Sequence, residues 1–120
     1  MSLPANVVSI HPYFKVRPGK MEEFKVAIEV FVERVASEKK NLYYDFTVNG
    51  DIVFCREAYV GAEGFLEHFD NVGAMLPPLL KMADVVRCEV HGPAAELEKL
   101  KGPLAALKPE WFTFMSGVKR

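Results

Sequence analysis

The chain has 120 residues, of which 50% are hydrophobic and 26% are charged, a composition typical of one globular domain with a buried core. Fifteen basic residues nearly balance 16 acidic ones, and no long basic run marks a phosphate-binding surface, so we expect no nucleic-acid partner. No apolar run is long enough to span a bilayer, and the N-terminus lacks a signal-peptide pattern. We therefore expect a cytoplasmic protein without a membrane partner.

The first predicted element is a strand over residues 7–16, in which apolar and polar residues alternate. Its apolar face consists of Val8, Ile10, Phe14 and Val16. Pro12 lies inside this run and predicts a bulge or a missing ladder hydrogen bond.

A long helix follows, because apolar residues recur at spacings of three and four. This core-facing stripe consists of Met21, Phe24, Ile28, Phe31 and Val35. Val26 and Val30 lie on the opposite face of the same helix. We expect the C-terminal segment of this chain, or of a second copy, to cover these two valines.

Residues 42–48 alternate as a second strand, and Asn49-Gly50 predicts a tight hairpin into an antiparallel third strand over 51–59. Gly61 interrupts this pattern. The remaining elements of the domain are a second helix (62–70), a broken helical stretch (73–81) and a fourth strand (84–91).

This order of elements is typical of the α+β ferredoxin-like, or split βαβ, fold, which has an antiparallel sheet of strand order 4-1-3-2. We assign residues 1–92 to this domain. Residues 93–120 predict a C-terminal extension of short helices and one strand, which packs on the domain or on a partner chain.

Helices on one side of the sheet leave the other side uncovered. We assign to the uncovered face Ser9, His11, Tyr13, Asp45, Glu57, Arg87, Glu89 and His91, beside Val7, Val53 and Val85. Because a half-apolar uncovered face favours association, we expect a homodimer through the sheet face, in which two sheets close an α/β barrel.

The two cysteines are predicted on strands that the first strand separates. Two strand spacings amount to roughly 9–10 Å, whereas a disulfide needs Cα atoms within about 7 Å. We also expect Cys55 on the uncovered face and Cys88 on the helix-covered face with Val86 and Val90. No intrachain disulfide is therefore expected.

Titratable and aromatic side chains cluster over residues 51–71, where we expect the functional site. His68 lies at the edge of an apolar helical arc that includes Phe65, and a neutral imidazole there can take a proton near pH 7. The alternative is a boundary histidine that only packs.

Glu57 is costly on an apolar sheet unless it is paired, and burial would raise its pKa. It is either a proton acceptor that also orients His11 or His68, or a structural salt-bridge partner of Arg87 or of the other chain.

Tyr44 and Tyr59 can hydrogen-bond a ligand oxygen while their rings wall a pocket, or they belong only to the core. His11 and His91, with Glu89 or Glu57, could hold a metal ion. Because the three histidines are scattered and none has a partner at i, i+4, we expect no metal site.

Four short motifs together resemble the antibiotic biosynthesis monooxygenase family over about residues 7–91. They are Pro18-Gly19-Lys20 at the start of a long helix, Tyr44 in the second strand, Arg56-Glu57-Ala58-Tyr59 in the third and His68 on the next helix. The resemblance implies a dimeric α+β barrel with a small apolar pocket between sheet and helices. It also implies oxidation of phenolic or quinol-type substrates by molecular oxygen without a cofactor.

On this resemblance we expect a small hydrophobic or aromatic ligand and no cofactor. His68 is the candidate base and Glu57 its catalytic partner. The candidate substrate-contacting residues are Tyr44, Tyr59, Cys55, His11 and Phe65. The alternative is a non-catalytic small-molecule binding or interaction module on the same fold, because fold alone does not decide function.

Overall fold

A computed structural model describes residues 4–119, which form one five-stranded sheet with its helices packed against one side. The strands are β1 (Val7–Val16), β2 (Asn41–Asn49), β3 (Ile52–Val60), β4 (Ala83–Gly92) and β5 (Glu110–Thr113). The helices are α1 (Met21–Val35), α2 (Gly61–Val72), α3 (Leu76–Leu80) and α4 (Ala94–Lys101), with 3-10 turns at Gly73–Met75 and Ala105–Leu107. None of the helices described here combines the length and the apolar character needed to cross a membrane.

The strands lie in the order β2-β3-β1-β4-β5. The first four strands keep the 4-1-3-2 order of the ferredoxin-like fold. The sheet differs from the predicted four-stranded antiparallel one because β5 joins the free edge of β4 in parallel, with Glu89 opposite Glu110 and His91 opposite Phe112. The aromatic residues of β5 favour extended backbone, and its pairing satisfies polar groups that the edge of β4 would otherwise expose.

The predicted hairpin joins β2 to β3 through the two residues Gly50 and Asp51, because Asn49 still pairs with Ile52. Gly50 has φ +62°, a conformation that glycine adopts without a side-chain clash.

A register shift between β1 and β4 falls at Tyr13 and Phe14, one residue from the irregularity predicted at Pro12. Val86 on β4 has no partner in this register and is 55% exposed, so its assignment to the helix-covered face was wrong. The bulge instead turns Val85, which was expected on the uncovered face, towards the core clusters beneath the helices.

The face assignment of β3 also needs correction. Val53, Cys55, Glu57 and Tyr59 all lie beneath the helices rather than on the uncovered face. Both alternating sets of residues in this strand contain apolar side chains, so hydrophobicity alone could not choose between them. The structure buries the set that contains Glu57, whose carboxyl group finds partners there.

Both cysteines are free and buried. β1 separates their strands as expected, and Pro12 of β1 lies directly opposite Cys88. However, the two side chains share the helix-covered side of the sheet. The expectation that they project to opposite sides was therefore wrong, for the reason given for β3.

The apolar stripe of α1 is confirmed, with Phe24, Ile28, Phe31 and Val35 all buried. Val26 and Val30, on the opposite face, remain 68% and 48% exposed. The C-terminal segment of this chain does not cover them, because it pairs with β4 instead.

The C-terminal extension contributes to the main core. Leu97, Leu100 and Leu104 are almost completely buried, and they pack in one cluster with Val8 and Val90. Removing residues 93–120 would therefore expose part of that cluster.

We expect Leu100→Ala to lower the free energy of unfolding by about 2–5 kcal/mol, because it leaves a cavity in this cluster. The control is Met115→Ala in the same extension, where the side chain is 94% exposed and the expected change is within about 0.5 kcal/mol. Urea denaturation measures both values. Equal effects of the two substitutions would contradict the assignment of the extension to the core.

Candidate active site

The close approach of α2 to β3 depends on Gly64. A Cβ atom at this position would lie 3.0 Å from the Cβ of Lys40 and 3.1 Å from the Cβ of Tyr59. Because Gly64 has no side chain, the helix can pack directly on the strand. His68, one turn further along α2, then reaches the carboxyl group of Glu57.

Glu57 is 5% exposed, and three side chains surround its carboxyl group. Tyr59 Oη donates a hydrogen bond to Oε1 at 2.6 Å, and Cys55 Sγ donates to Oε2 at 3.4 Å. His68 Nε2 lies 3.4 Å from Oε1. The three β3 residues meet because alternate residues of a strand point to the same face.

Burial raises the pKa of Glu57, since an ionised carboxylate loses its hydration there. The nearby His68 and the hydrogen bonds from Tyr59 and Cys55 oppose this effect, but burial is the larger cause. Burial likewise raises the pKa of Tyr44, of Tyr59 and of Cys55. These hydroxyl and thiol groups therefore keep their protons at neutral pH and act as donors.

The buried imidazole of His68 packs against three aromatic rings. Its ring centroid lies 5.4 Å from that of Tyr44, 5.0 Å from that of Tyr59 and 5.7 Å from that of Phe65. The other ring nitrogen, Nδ1, lies 3.0 Å from Oε2 of Glu38. The ring is thus held between two carboxyl groups.

A cavity of about 90 Å³ opens beside this group, between the sheet and the helices. Its polar lining consists of Tyr44, Cys55, Glu57 and His68, and the remaining lining is mostly apolar. Among the residues that the structure describes, Tyr44 Oη has no hydrogen-bond partner. Its hydroxyl is therefore free to bind an oxygen or nitrogen atom of a ligand.

Five of the seven site residues expected from the sequence line this cavity: His68, Glu57, Tyr44, Cys55 and Phe65. Tyr59 is fully buried behind Glu57, with its hydroxyl occupied by that carboxyl group, so it does not form part of the cavity wall. Glu57 contacts His68 and not Arg87, which pairs with Glu89 and Glu110.

His11 lies on the uncovered side of the sheet, away from the cavity. Its ring contacts Phe54 and His91, at centroid distances of 5.9 and 5.0 Å, and its Nε2 hydrogen-bonds to Ser9 Oγ. His11 does not line the cavity, so its assignment as a substrate-contacting residue was wrong. Partial burial and the neighbouring His91 lower the pKa of His11.

The sequence analysis missed Glu38, the second carboxyl partner of His68, and Asn71, which donates to Glu38 at 2.8 Å. Glu38 follows the end of α1 in a polar run and carries no signal of burial. Cys88 also lines the cavity and was not selected as a site residue. Burial raises the pKa of its thiol to about 12. Within residues 4–119, no group of three or more His, Cys, Asp or Glu side chains is arranged to hold a metal ion.

No protein-family model and no curated protein sequence matches this chain. Its fold is shared with a crystal structure of an antibiotic biosynthesis monooxygenase, at a TM-score of 0.60 and 14% identity over 69% of this chain and 92% of that one. A protein from Caulobacter crescentus, provisionally named an antibiotic biosynthesis monooxygenase, gives a TM-score of 0.65 and 19% identity over 72% and 88%.

The crystal structure of MupZ from Pseudomonas fluorescens is much more similar. It gives a TM-score of 0.91 and 39% identity, over 96% of this chain and 95% of MupZ. The chain is a relative of MupZ, and it has the fold of the antibiotic biosynthesis monooxygenases. The coverage of MupZ includes the C-terminal extension, whereas the two antibiotic biosynthesis monooxygenase structures align with about 70% of this chain.

The raised pKa of Glu57 predicts a pH-dependent stability. The folded protein binds the carboxyl proton more tightly than the unfolded chain does. Proton binding at Glu57 therefore adds to the free energy of unfolding at low pH. This contribution is lost as pH rises from the usual value of 4.5 through the raised value. Glu57→Gln stays neutral at every pH, so we expect its stability relative to the wild type to increase from pH 5 to pH 8.

Urea denaturation at several pH values measures this difference. The matched control is Glu67→Gln on the exposed side of α2, for which we expect no such trend. If Glu57→Gln instead became less stable relative to the wild type as pH rose, the folded protein would favour the ionised carboxylate.

Proposed function

We propose that this chain is a member of the antibiotic biosynthesis monooxygenase family, and that it oxidises a small phenol or quinol with molecular oxygen and without a cofactor. The observation that carries the proposal is the Glu57–His68 pair, which forms an acid–base group in the wall of an otherwise apolar cavity. Paired ionisable groups buried beside a cavity are typical of sites that move protons.

The cavity lining favours a small, mostly apolar, neutral substrate. Phe65, Leu76 and Leu79 provide apolar walls, and the unpartnered hydroxyl of Tyr44 can donate a hydrogen bond to the substrate oxygen. A single donor near the acid–base pair would orient a phenolic hydroxyl group towards His68.

Proton removal is the step that these residues catalyse. His68 accepts the phenolic proton at Nε2, and Glu57 shares that proton across the 3.4 Å separation. Tyr59 holds the carboxyl group in place through its 2.6 Å hydrogen bond. Because water is largely excluded, the resulting phenolate is poorly solvated and becomes a stronger electron donor.

The phenolate then reduces molecular oxygen. One electron passes to oxygen, the two radicals combine, and a C–O bond forms at a ring carbon that carries hydrogen. The ring carbon loses that hydrogen as a proton, the O–O bond breaks and water leaves, so that a quinone remains. For a naphthol, one molecule of naphthol and one of oxygen give one naphthoquinone and one water.

Oxygen uptake with a panel of naphthols and hydroquinones tests this function. We expect uptake that is accompanied by quinone absorbance, and that falls about 10²–10⁴-fold in Glu57→Gln and His68→Gln, because each removes the acid–base group. Glu67→Gln is the control on α2. Binding of the same compounds without oxygen uptake would instead favour a binding module.

We further propose that the protein is a homodimer through the uncovered face of the sheet. This face carries a connected aromatic group: Tyr13 and Phe54 lie 4.7 Å apart, and His91 stacks on Phe112 at 4.5 Å. Arg87 forms ion pairs with Glu89 and Glu110, so the same face carries both positive and negative charge. A second copy can match such a mixed surface to itself by two-fold symmetry.

We expect Phe54→Arg to weaken the dimer by at least about 2 kcal/mol, roughly 30-fold, because it introduces a charge among the buried aromatic side chains. Val26→Arg is the control, since Val26 is an equally apolar residue on the exposed face of α1. Sedimentation velocity at micromolar concentration measures both variants. A monomeric wild type, or a dimer that only Val26→Arg disrupts, would contradict this interface.

A further inference from the structure

Three side chains join His68 to the surface, and all three lie outside the cavity lining. Glu38 Oε2 lies 3.0 Å from His68 Nδ1, and Asn71 Nδ2 donates to the same oxygen at 2.8 Å. Asn71 also contacts Arg34 twice, accepting from its Nε and donating to its backbone carbonyl, both at 3.2 Å. The path therefore runs from the exposed end of α1 to the buried imidazole.

The direction of the hydrogen bonds made by Asn71 is fixed by the donors and acceptors available. Arg34 Nε can only donate, so the amide oxygen of Asn71 must face it and the amide nitrogen must face Glu38. Glu38 Oε2 then receives the Asn71 donor. It lies closer to His68 Nδ1, at 3.0 Å, than Glu57 Oε1 lies to Nε2, at 3.4 Å, which favours the ring proton on Nδ1. A His68 ring rotated by 180° would present carbon atoms to both carboxyl groups, which excludes that orientation.

We propose that Glu38 is a positioning residue that holds His68 in its Nδ1–H tautomer, with the unprotonated Nε2 directed at Glu57 and the cavity. The tautomer itself does not depend on the proposed function, and only its catalytic consequence rests on that function. Glu38 contacts no part of the cavity. It acts through the imidazole, as the buried aspartate acts through histidine in a serine protease triad.

The catalytic consequence follows from which nitrogen carries the proton. If Nε2 carried it, the face towards Glu57 and the cavity would present a donor, and His68 could not accept a substrate proton there. With the proton on Nδ1, Nε2 is the basic atom. When a second proton arrives, the imidazolium lies between the carboxyl groups of Glu38 and Glu57.

Long-range ¹H–¹⁵N correlation spectra of the uniformly labelled protein test the tautomer directly, because protonated and unprotonated ring nitrogens have distinct ¹⁵N shifts. The His68 signals are assigned by their loss in His68→Gln. In spectra recorded between pH 6 and pH 9, we expect the neutral form of the wild-type ring to show Nδ1–H with unprotonated Nε2.

Glu38→Leu removes the acceptor with little change of volume. We expect the ring in this variant to change to the Nε2–H tautomer, with Glu57 as its acceptor. The matched control is Glu33→Leu, an exposed residue near the end of α1, which should leave the wild-type pattern unchanged. Should Glu38→Leu fail to fold, Glu38→Ala removes the same acceptor with a smaller side chain.

Three results would overturn the inference: an Nε2–H tautomer in the wild type, both nitrogens protonated throughout this pH range, or the wild-type pattern retained without the Glu38 carboxylate. None of these measurements depends on activity. A protein that takes up no oxygen, yet shows the expected tautomer and its loss in Glu38→Leu, contradicts the proposed oxidation and supports the positioning role. In an active protein, we expect Glu38→Leu to lower kcat about 10²-fold with a much smaller change in KM.

Discussion

A carboxyl group that is buried against an apolar sheet must find partners within the protein, and the site is built around the partners of Glu57. Two of them, Cys55 and Tyr59, come from the same face of the same strand. The third, His68, is available only because α2 lies directly on β3. The cavity lies between these polar atoms and the apolar side chains of α3 and β4. Its chemistry is therefore fixed by how one acidic residue is accommodated.

The fold could be predicted well where the relevant signal is local. The apolar spacing of α1, the hairpin signal at Asn49-Gly50 and the order of strands and helices each depend on a few neighbouring residues, and together they identify the split βαβ topology. His68 and Glu57, which line the candidate cavity, could be selected from the sequence because they lie in one strand–turn–helix stretch. Local spacing brings them near each other whatever the rest of the chain does.

The errors occur where the outcome depends on contacts that are distant in sequence. Apolar residues on both faces of β3 gave no basis for choosing the buried one, and the charge of Glu57 favoured the wrong choice. A bulge at Val86 reversed the faces of one part of β4. The partnership of Glu38 with His68 joins residues 30 positions apart and depends on how α1 packs against α2. Periodicity contains no information about such a pairing.

The bare backbone of Gly64 has a consequence for how this site can diverge among relatives. The gap between α2 and β3 is set jointly by position 64, by Lys40 and by Tyr59, whose Cβ atoms a new side chain would contact. A larger residue at position 64 would act as a wedge and separate the imidazole from its acidic partner, unless those two neighbours changed as well. The three positions are thus coupled, and we expect their substitutions to covary through evolution although none of the three lines the cavity.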